Sequence, residues 1–158
     1  MEVLNVVETE ITPRVELDKI RGVFVIEGKS LPEDVKDFYN PVIEWFDEYL
    51  KDPNDETHFV LDFEYFNTAS SKMILILLSK LREIQKSGKR VSVTWKFPQY
   101  DVELEEAGEE FSELLNIPFN FIPKVWEQTI LKNNTCIINH ILIFQQFREF
   151  LLNIIFIL

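Results

Sequence analysis

A run of hydroxyl and amide side chains stands where one predicted element ends and the next begins. Its residues are Asn67, Thr68, Ala69, Ser70, Ser71 and Lys72. The free backbone N–H groups and partial positive charge at a helix start would hold a phosphate carried by a hydroxyl there. Such a phosphate adds roughly two negative charges and would repel a partner docked at that surface. Thr68 is therefore a candidate phosphorylation site, and Lys72, one turn along, could screen the added charge.

The same hydroxyl groups have a second interpretation. Asn, Thr and Ser are preferred N-cap residues, and a strand-to-helix turn commonly carries one of them. From local sequence alone, helix capping is the stronger interpretation of Thr68. One hydroxyl can also serve both roles, so capping and phosphorylation both stay open at this point.

The other residues capable of chemistry form weaker patterns. His58 and His140 are the two histidines, both in apolar sequence surroundings, and neither has a Cys or a second His at ligand spacing. The four glycines are not clustered into a phosphate-binding loop. Asp62 and Glu64 share a strand face and could act as a carboxylate pair, although such pairs more often mark a solvated strand face. We therefore predict no metal site, no cofactor and no enzymatic activity.

Hydrophobic periodicity predicts the elements that position Thr68. Alternating side chains predict a strand from His58 to Phe66. Apolar residues at helical spacing predict a helix from Ala69 to Gln85, which Gly88 should end. A second alternating run predicts a strand from Arg90 to Phe97.

The segments before this unit predict a hairpin and a helix. Val15 to Glu27 should form two strands around a turn at Asp18 to Arg21. Ser30 to Glu33 matches the capping-box pattern at the start of a helix. Pro41 should kink or split that helix. The aromatic side chains of Phe38, Tyr39, Trp45 and Phe46 are expected in the core rather than in a binding site, although Tyr39, Asn40 and Pro41 at the kink could be exposed and border the Thr68 surface.

Two later elements complete an α/β pattern. We predict an acidic amphipathic helix from Asp101 to Leu115 and an edge strand from Phe119 to Ile122. Strands alternating with helices predict a mixed, mostly parallel sheet of about five strands. In such sheets, ligand and regulatory sites favour the carboxyl ends of strands, which points to the loop after Phe66.

Composition restricts the class of protein. The chain has 158 residues, which suits one domain, and its net charge of -11 disfavours binding to nucleic acid or to an anionic membrane. The single cysteine, Cys136, cannot form an internal disulfide. The first ten residues lack the basic and apolar regions of a signal peptide. These features predict a cytoplasmic protein.

Charge also divides the chain near residue 123. Residues 1–123 carry 13 Lys+Arg and 25 Asp+Glu, whereas residues 124–158 carry 3 and 2. We predict a regulatory domain over residues 1–123 and an apolar, helical C-terminal extension over residues 124–158. Its longest clean apolar run, Ile154 to Leu158, is too short to span a bilayer. The extension could pack on the domain or a second copy, lie at a membrane interface, or be an altered C-terminus.

Several blocks of sequence resemble the SiaC family of bacterial regulatory phosphoproteins. These blocks are Thr12-Pro13, Gly28 to Glu33, Phe38 to Pro41 followed by Trp45, and Tyr65 to Lys72. The strand-to-helix junction also resembles the phosphorylation loop of STAS domains, the anti-sigma-factor antagonists. In that comparison Asn67-Thr68 replaces the Asp-Ser of the STAS loop, and no Gly follows the hydroxyl.

The resemblance implies a STAS-like fold and a non-catalytic, partner-switching role in signal transduction. It implies that a dedicated Ser/Thr protein kinase phosphorylates Thr68 and that a PP2C-type phosphatase removes the phosphate. The unphosphorylated form would bind and activate a diguanylate cyclase, raising cyclic di-GMP and regulating biofilms. Asn67 and residues 69–72 would form the surrounding phosphate and partner surface. The alternative is an anti-sigma-factor antagonist that binds an anti-sigma kinase.

Overall fold

Strands and helices alternate along residues 1–125, the part of the chain that the computed structural model describes. The strands are β1 (Leu4–Val6), β2 (Arg14–Asp18), β3 (Val23–Ser30), β4 (Glu56–Phe66), β5 (Arg90–Pro98) and β6 (Phe119–Lys124). The helices are α1 (Val35–Tyr49), α2 (Thr68–Lys86) and α3 (Val102–Leu115). Nearly all of the predicted C-terminal extension, with Cys136 and His140, lies outside the described residues.

The six strands form one sheet in the order in which they occur in the chain. β1, β2 and β3 pair antiparallel, whereas β3, β4, β5 and β6 pair parallel. The predicted mixed, mostly parallel α/β fold is confirmed, with six strands rather than about five. The additional strand, β1, has three residues, too few to show a clear alternation in the sequence. The STAS-like label stays a prediction.

The helices cover one face of the sheet. On β4 the buried side chains are Phe59, Leu61 and Phe63, and on β5 they are Val91, Val93, Trp95 and Phe97. α1 packs on α2 and α2 on α3, so the three helices form one layer over these side chains. The opposite face carries mostly polar and charged side chains. Among residues 1–125, every helix is too short or too polar to cross a membrane.

A β-bulge in β4 changes which aromatic side chain enters the core just before Thr68. The pairing with β3 passes from Phe63 directly to Tyr65, so Glu64 is an extra residue in β4. Strict alternation would place Tyr65 on the same face as Phe63. Instead Phe66 is buried, and its ring meets that of Phe63 edge-on at 5.3 Å. The bulge therefore anchors the carboxyl end of β4 in the core.

The start of α1 differs from the prediction. Ser30 is the last residue of β3 and is fully buried, so the predicted capping box at Ser30 to Glu33 is wrong. Asp34 is the N-cap, and its Oδ1 accepts two backbone N–H groups of the first turn at 2.9 and 3.0 Å. The helix also continues through Pro41 rather than splitting there. Pro41 and Asp37, whose carbonyl loses its helical partner, are both exposed, so water can satisfy that carbonyl.

The other predicted elements are found within a few residues of their expected ends. β2 and β3 form the hairpin, with their turn after Asp18. α2 is followed by Gly88 in a left-handed conformation, φ 90°, which a glycine adopts without strain. Asp101 caps α3 by accepting the N–H of Leu104 at 3.0 Å.

Candidate functional site

The turn formed by residues 67–71, called the Thr68 turn below, joins the carboxyl end of β4 to α2. Asn67 is the N-cap, and its Oδ1 accepts the N–H of Ser70 at 2.8 Å. Thr68 is the first helical residue, and the N–H of Ser71 reaches the carbonyl of Asn67 at 2.9 Å. The sequence left the capping residue open, and in the structure it is Asn67. Among residues 1–125, the side-chain hydroxyl of Thr68 has no hydrogen-bond partner.

The residues around Thr68 divide into an exposed set and a buried set. Asn67 and Thr68 are half-buried, and Ala69 and Lys72 are exposed beside them. Ser70 and Ser71, expected on the same surface, are only 0% and 1% exposed. They lie on the side of the turn that faces the domain, because α2 packs this side against the sheet. The surface beside Thr68 is therefore smaller than the sequence suggested.

Three buried hydroxyl groups lie in a chain beneath the Thr68 turn, and we call this chain the hydroxyl relay. It consists of Tyr39 of α1, Ser30 at the end of β3, and Ser70 of α2. Ser30 Oγ lies 2.8 Å from the Tyr39 hydroxyl and donates to Ser70 Oγ at 2.9 Å. Ser70 Oγ donates to the backbone carbonyl of Ser30 at 2.9 Å. That carbonyl also accepts the N–H of Asn67 at 3.2 Å.

The donors and acceptors in the hydroxyl relay can be arranged in one way. Each hydroxyl carries one proton, and those of Ser30 and Ser70 are already donated. Tyr39 must therefore donate its proton to Ser30. Burial raises the pKa of Tyr39 far above its ordinary value, so the hydroxyl keeps this proton at any physiological pH. Tyr39 is fully buried, as expected for the aromatic set of α1, and it contacts the Thr68 turn from below rather than from the surface.

The predicted carboxylate pair is separated into two ion-paired groups. Asp62 lies between Lys96, at 3.6 Å, and Lys124, which it contacts directly. Glu64, the bulged residue, lies 3.8 Å from Lys29. Each carboxylate therefore faces lysine side chains on the polar face of the sheet, rather than sharing a site with the other.

His58 lies on the same polar face, although its neighbours in the sequence are mostly apolar. Its ring is exposed, with Nδ1 2.8 Å from Ser92 Oγ and Nε2 3.1 Å from Thr94 Oγ1. In the described part of the chain, no three or more His, Cys, Asp or Glu side chains are grouped to hold a metal ion.

Comparison with known proteins identifies relatives over nearly the whole described region. The model of the SiaC family regulatory phosphoproteins matches residues 6–124. An uncharacterised protein of Pseudomonas aeruginosa strain UCBPP-PA14 is 30% identical over 119 residues, which cover 75% of this chain and 94% of that protein.

Solved structures show the same fold. The crystal structure of apo-SiaC from Pseudomonas aeruginosa has a TM-score of 0.72 and 30% identity, covering 77% of this chain and 99% of that one. A chain in the crystal structure of diguanylate cyclase SiaD in complex with its activator SiaC also has a TM-score of 0.72, with 29% identity over 77% of this chain and 99% of that one. Because the family model spans most of the sequence, this protein belongs to the SiaC family of regulatory phosphoproteins.

Proposed function

We propose that this protein is a non-catalytic phospho-switch whose unphosphorylated form binds and activates a diguanylate cyclase. Phosphorylation of Thr68 then releases the cyclase. The observation that supports this proposal best is the Thr68 hydroxyl itself, which lies at the start of α2 and is not used as the helix cap, because Asn67 fills that role. The solved complex of a related SiaC with its cyclase supplies the class of partner.

The geometry around Thr68 explains how a phosphate could expel a partner. Ala69 is exposed and has a small side chain, so a partner can approach the start of α2 closely. A phosphate on Thr68 would place roughly two negative charges within that contact. Burying that charge and bulk in a contact built around a neutral threonine removes water from the phosphate without supplying a matching cation, which opposes docking.

The switch requires two enzymes that act on Thr68. We propose a Ser/Thr protein kinase that adds the phosphate and a PP2C-type phosphatase that removes it. The first-turn N–H groups of Thr68 and Ala69 have no carbonyl partner within the helix, as at every helix start. They can therefore donate to the phosphate, and the helix dipole favours its negative charge.

The test compares phosphorylation and cyclase binding in matched variants. The purified protein is incubated with its kinase and ATP, and the phosphate is mapped by mass spectrometry, with Thr68→Ala as the variant that cannot accept it. Cyclase affinity is then measured for Thr68→Asp and for Ser87→Asp, which adds the same charge at the opposite end of α2. We expect Thr68→Asp to weaken binding by more than roughly tenfold, because a carboxylate buried in the contact without a cationic partner loses its hydration.

The proposal fails under two results. One is the absence of phosphate on Thr68 after incubation with the kinase. The other is a Thr68→Asp variant that binds the cyclase as tightly as Ser87→Asp does. Affinity purification of the wild type beside Thr68→Ala tests the alternative role, because recovery of an anti-sigma kinase in place of a cyclase would favour an anti-sigma-factor antagonist.

A further inference from the structure

We infer that the hydroxyl relay of Tyr39, Ser30 and Ser70 is a latch that holds the Thr68 turn against the domain and sets how fast Thr68 is phosphorylated. This inference rests on the proposed function, since it takes Thr68 as the phosphate acceptor. It assigns a role to three buried hydroxyl groups that neither contact a partner nor receive the phosphate.

Phosphoryl transfer needs access to the Thr68 hydroxyl from several sides, which the closed turn gives only in part. The Thr68 oxygen must attack the γ-phosphorus of ATP in line; the new P–O bond forms as the bond to ADP breaks, and the hydroxyl proton passes to a base of the kinase. That base must lie within hydrogen-bond reach of the hydroxyl, and the kinase closes around the reacting groups to exclude water. Thr68 is half-buried and its neighbours Ser70 and Ser71 are buried, so the closed turn presents only part of the Thr68 side chain, and opening of the turn presents the rest.

Little apolar surface holds the turn in place. Its helical residues, Thr68 to Ser71, have small side chains, and the first large apolar anchors of α2 are Met73 and Ile74. Opening residues 67–71 therefore exposes little apolar area, and its free energy depends mainly on hydrogen bonds.

The hydrogen bonds that join the turn to the rest of the domain converge on Ser30. The Asn67 cap is local and can move with the turn. The two bonds between Ser70 and Ser30, and the bond from the Asn67 N–H to the Ser30 carbonyl, cross to β3 and must break on opening. Tyr39 donates to Ser30 and so directs the Ser30 proton towards Ser70, which strengthens the crossing bond by polarisation.

Ser70→Ala, with Ser79→Ala as its matched control, tests the latch. Both changes remove one serine hydroxyl from α2, but Ser79 donates to the Leu75 carbonyl within the helix, at 2.8 Å. Two quantities are measured: hydrogen exchange of the Asn67 amide, whose N–H crosses to the Ser30 carbonyl, and kcat/KM for phosphorylation of Thr68 by its kinase. We expect Ser70→Ala to raise both by about 25-fold, which is about fivefold for each of the two hydrogen bonds that the Ser70 hydroxyl makes with Ser30. Ser79→Ala should change neither.

Tyr39→Phe provides a second test that leaves α2 untouched. It should raise both quantities in the same direction, because Ser30 loses the donor that orients it. The latch is refuted if the Asn67 amide exchanges no faster in Ser70→Ala than in Ser79→Ala, or if Thr68 is phosphorylated no faster in Ser70→Ala. A wild-type protein that receives no phosphate on Thr68 refutes the proposed function instead, and the exchange rates still decide whether the relay holds the turn.

Discussion

Gly108 of α3 lies directly against the indole ring of Trp95, so its replacement by alanine is a sharp test of the packing beneath the site. An added β-carbon would lie 2.6 Å from Nε1, 2.7 Å from Cδ1 and 2.8 Å from Cε2 of the ring. The ring has little freedom to move. It is fully buried, its Nε1 donates to the carbonyl of Leu104 at 3.0 Å, and it meets Phe63 and Phe66 at centroid distances of 5.8 and 6.1 Å.

The free energy of unfolding should fall as a result. Overpacking a core usually costs about 1–3 kcal/mol, and a ring held on several sides places Gly108→Ala near the upper end. Alanine in place of glycine inside a helix offsets about 1 kcal/mol of this loss. We therefore expect a net destabilisation of about 2 kcal/mol. Displacement of Trp95 should also disturb Phe66, which directly precedes the Thr68 turn.

Urea denaturation of the full chain measures this effect. The midpoint should fall with an unchanged slope, because the surface exposed on unfolding stays the same. Glu109→Ala, at the next and exposed position of α3, is the control and should stay near the wild type. Trp95→Phe removes the clashing part of the indole, so the double variant should lose less than the sum of the two single variants. A Gly108→Ala protein at least as stable as the wild type would refute the reasoning.

Three further predictions concern stability. Asn67→Ala should lower the free energy of unfolding by about 1 kcal/mol, because the first turn of α2 loses its cap. Chemical denaturation measures this loss, and Asn67→Asp, which keeps an acceptor oxygen, should stay close to the wild type in stability. Tyr39→Phe removes one buried hydroxyl-to-hydroxyl bond of 2.8 Å and should cost about 1 kcal/mol in the same assay. Tyr49→Phe removes two bonds, the 2.8 Å bond to Thr57 and the 3.1 Å bond from the Asn54 N–H, so it should cost about 2 kcal/mol, and wild-type stability in either variant would contradict this account. The backbone N–H and guanidinium of Arg21 lower the pKa of Asp18 below its ordinary 3.8. The stability that Asp18 contributes is therefore present above pH 3.8 and lost as the pH falls further. Asp18→Asn should show a shallower loss of unfolding free energy in acid than the wild type, and equal slopes would disprove this account.

Periodicity predicted the central elements well because their apolar side chains all face one core. β4, α2, β5 and α3 each carry an apolar stripe at the spacing of their own secondary structure, and such stripes are visible in sequence. The errors arose where the pattern was short or was changed by packing. β1 has three residues, and because of the bulge at Glu64 the side chain of Phe66, rather than that of Tyr65, enters the core. The capping-box pattern at Ser30 failed because β3 continues through that residue.

The sequence by itself determined that Thr68 stands at the start of a helix directly after a strand, because cap chemistry and apolar spacing are local properties of the chain. Only the tertiary structure decided which groups hold that position. Ser30 lies 9 residues from Tyr39 and 40 residues from Ser70, so nothing in the local sequence joins them. The parallel pairing of β3 with β4 places Ser30 opposite Phe66, and this register brings all three hydroxyl groups beneath the Thr68 turn.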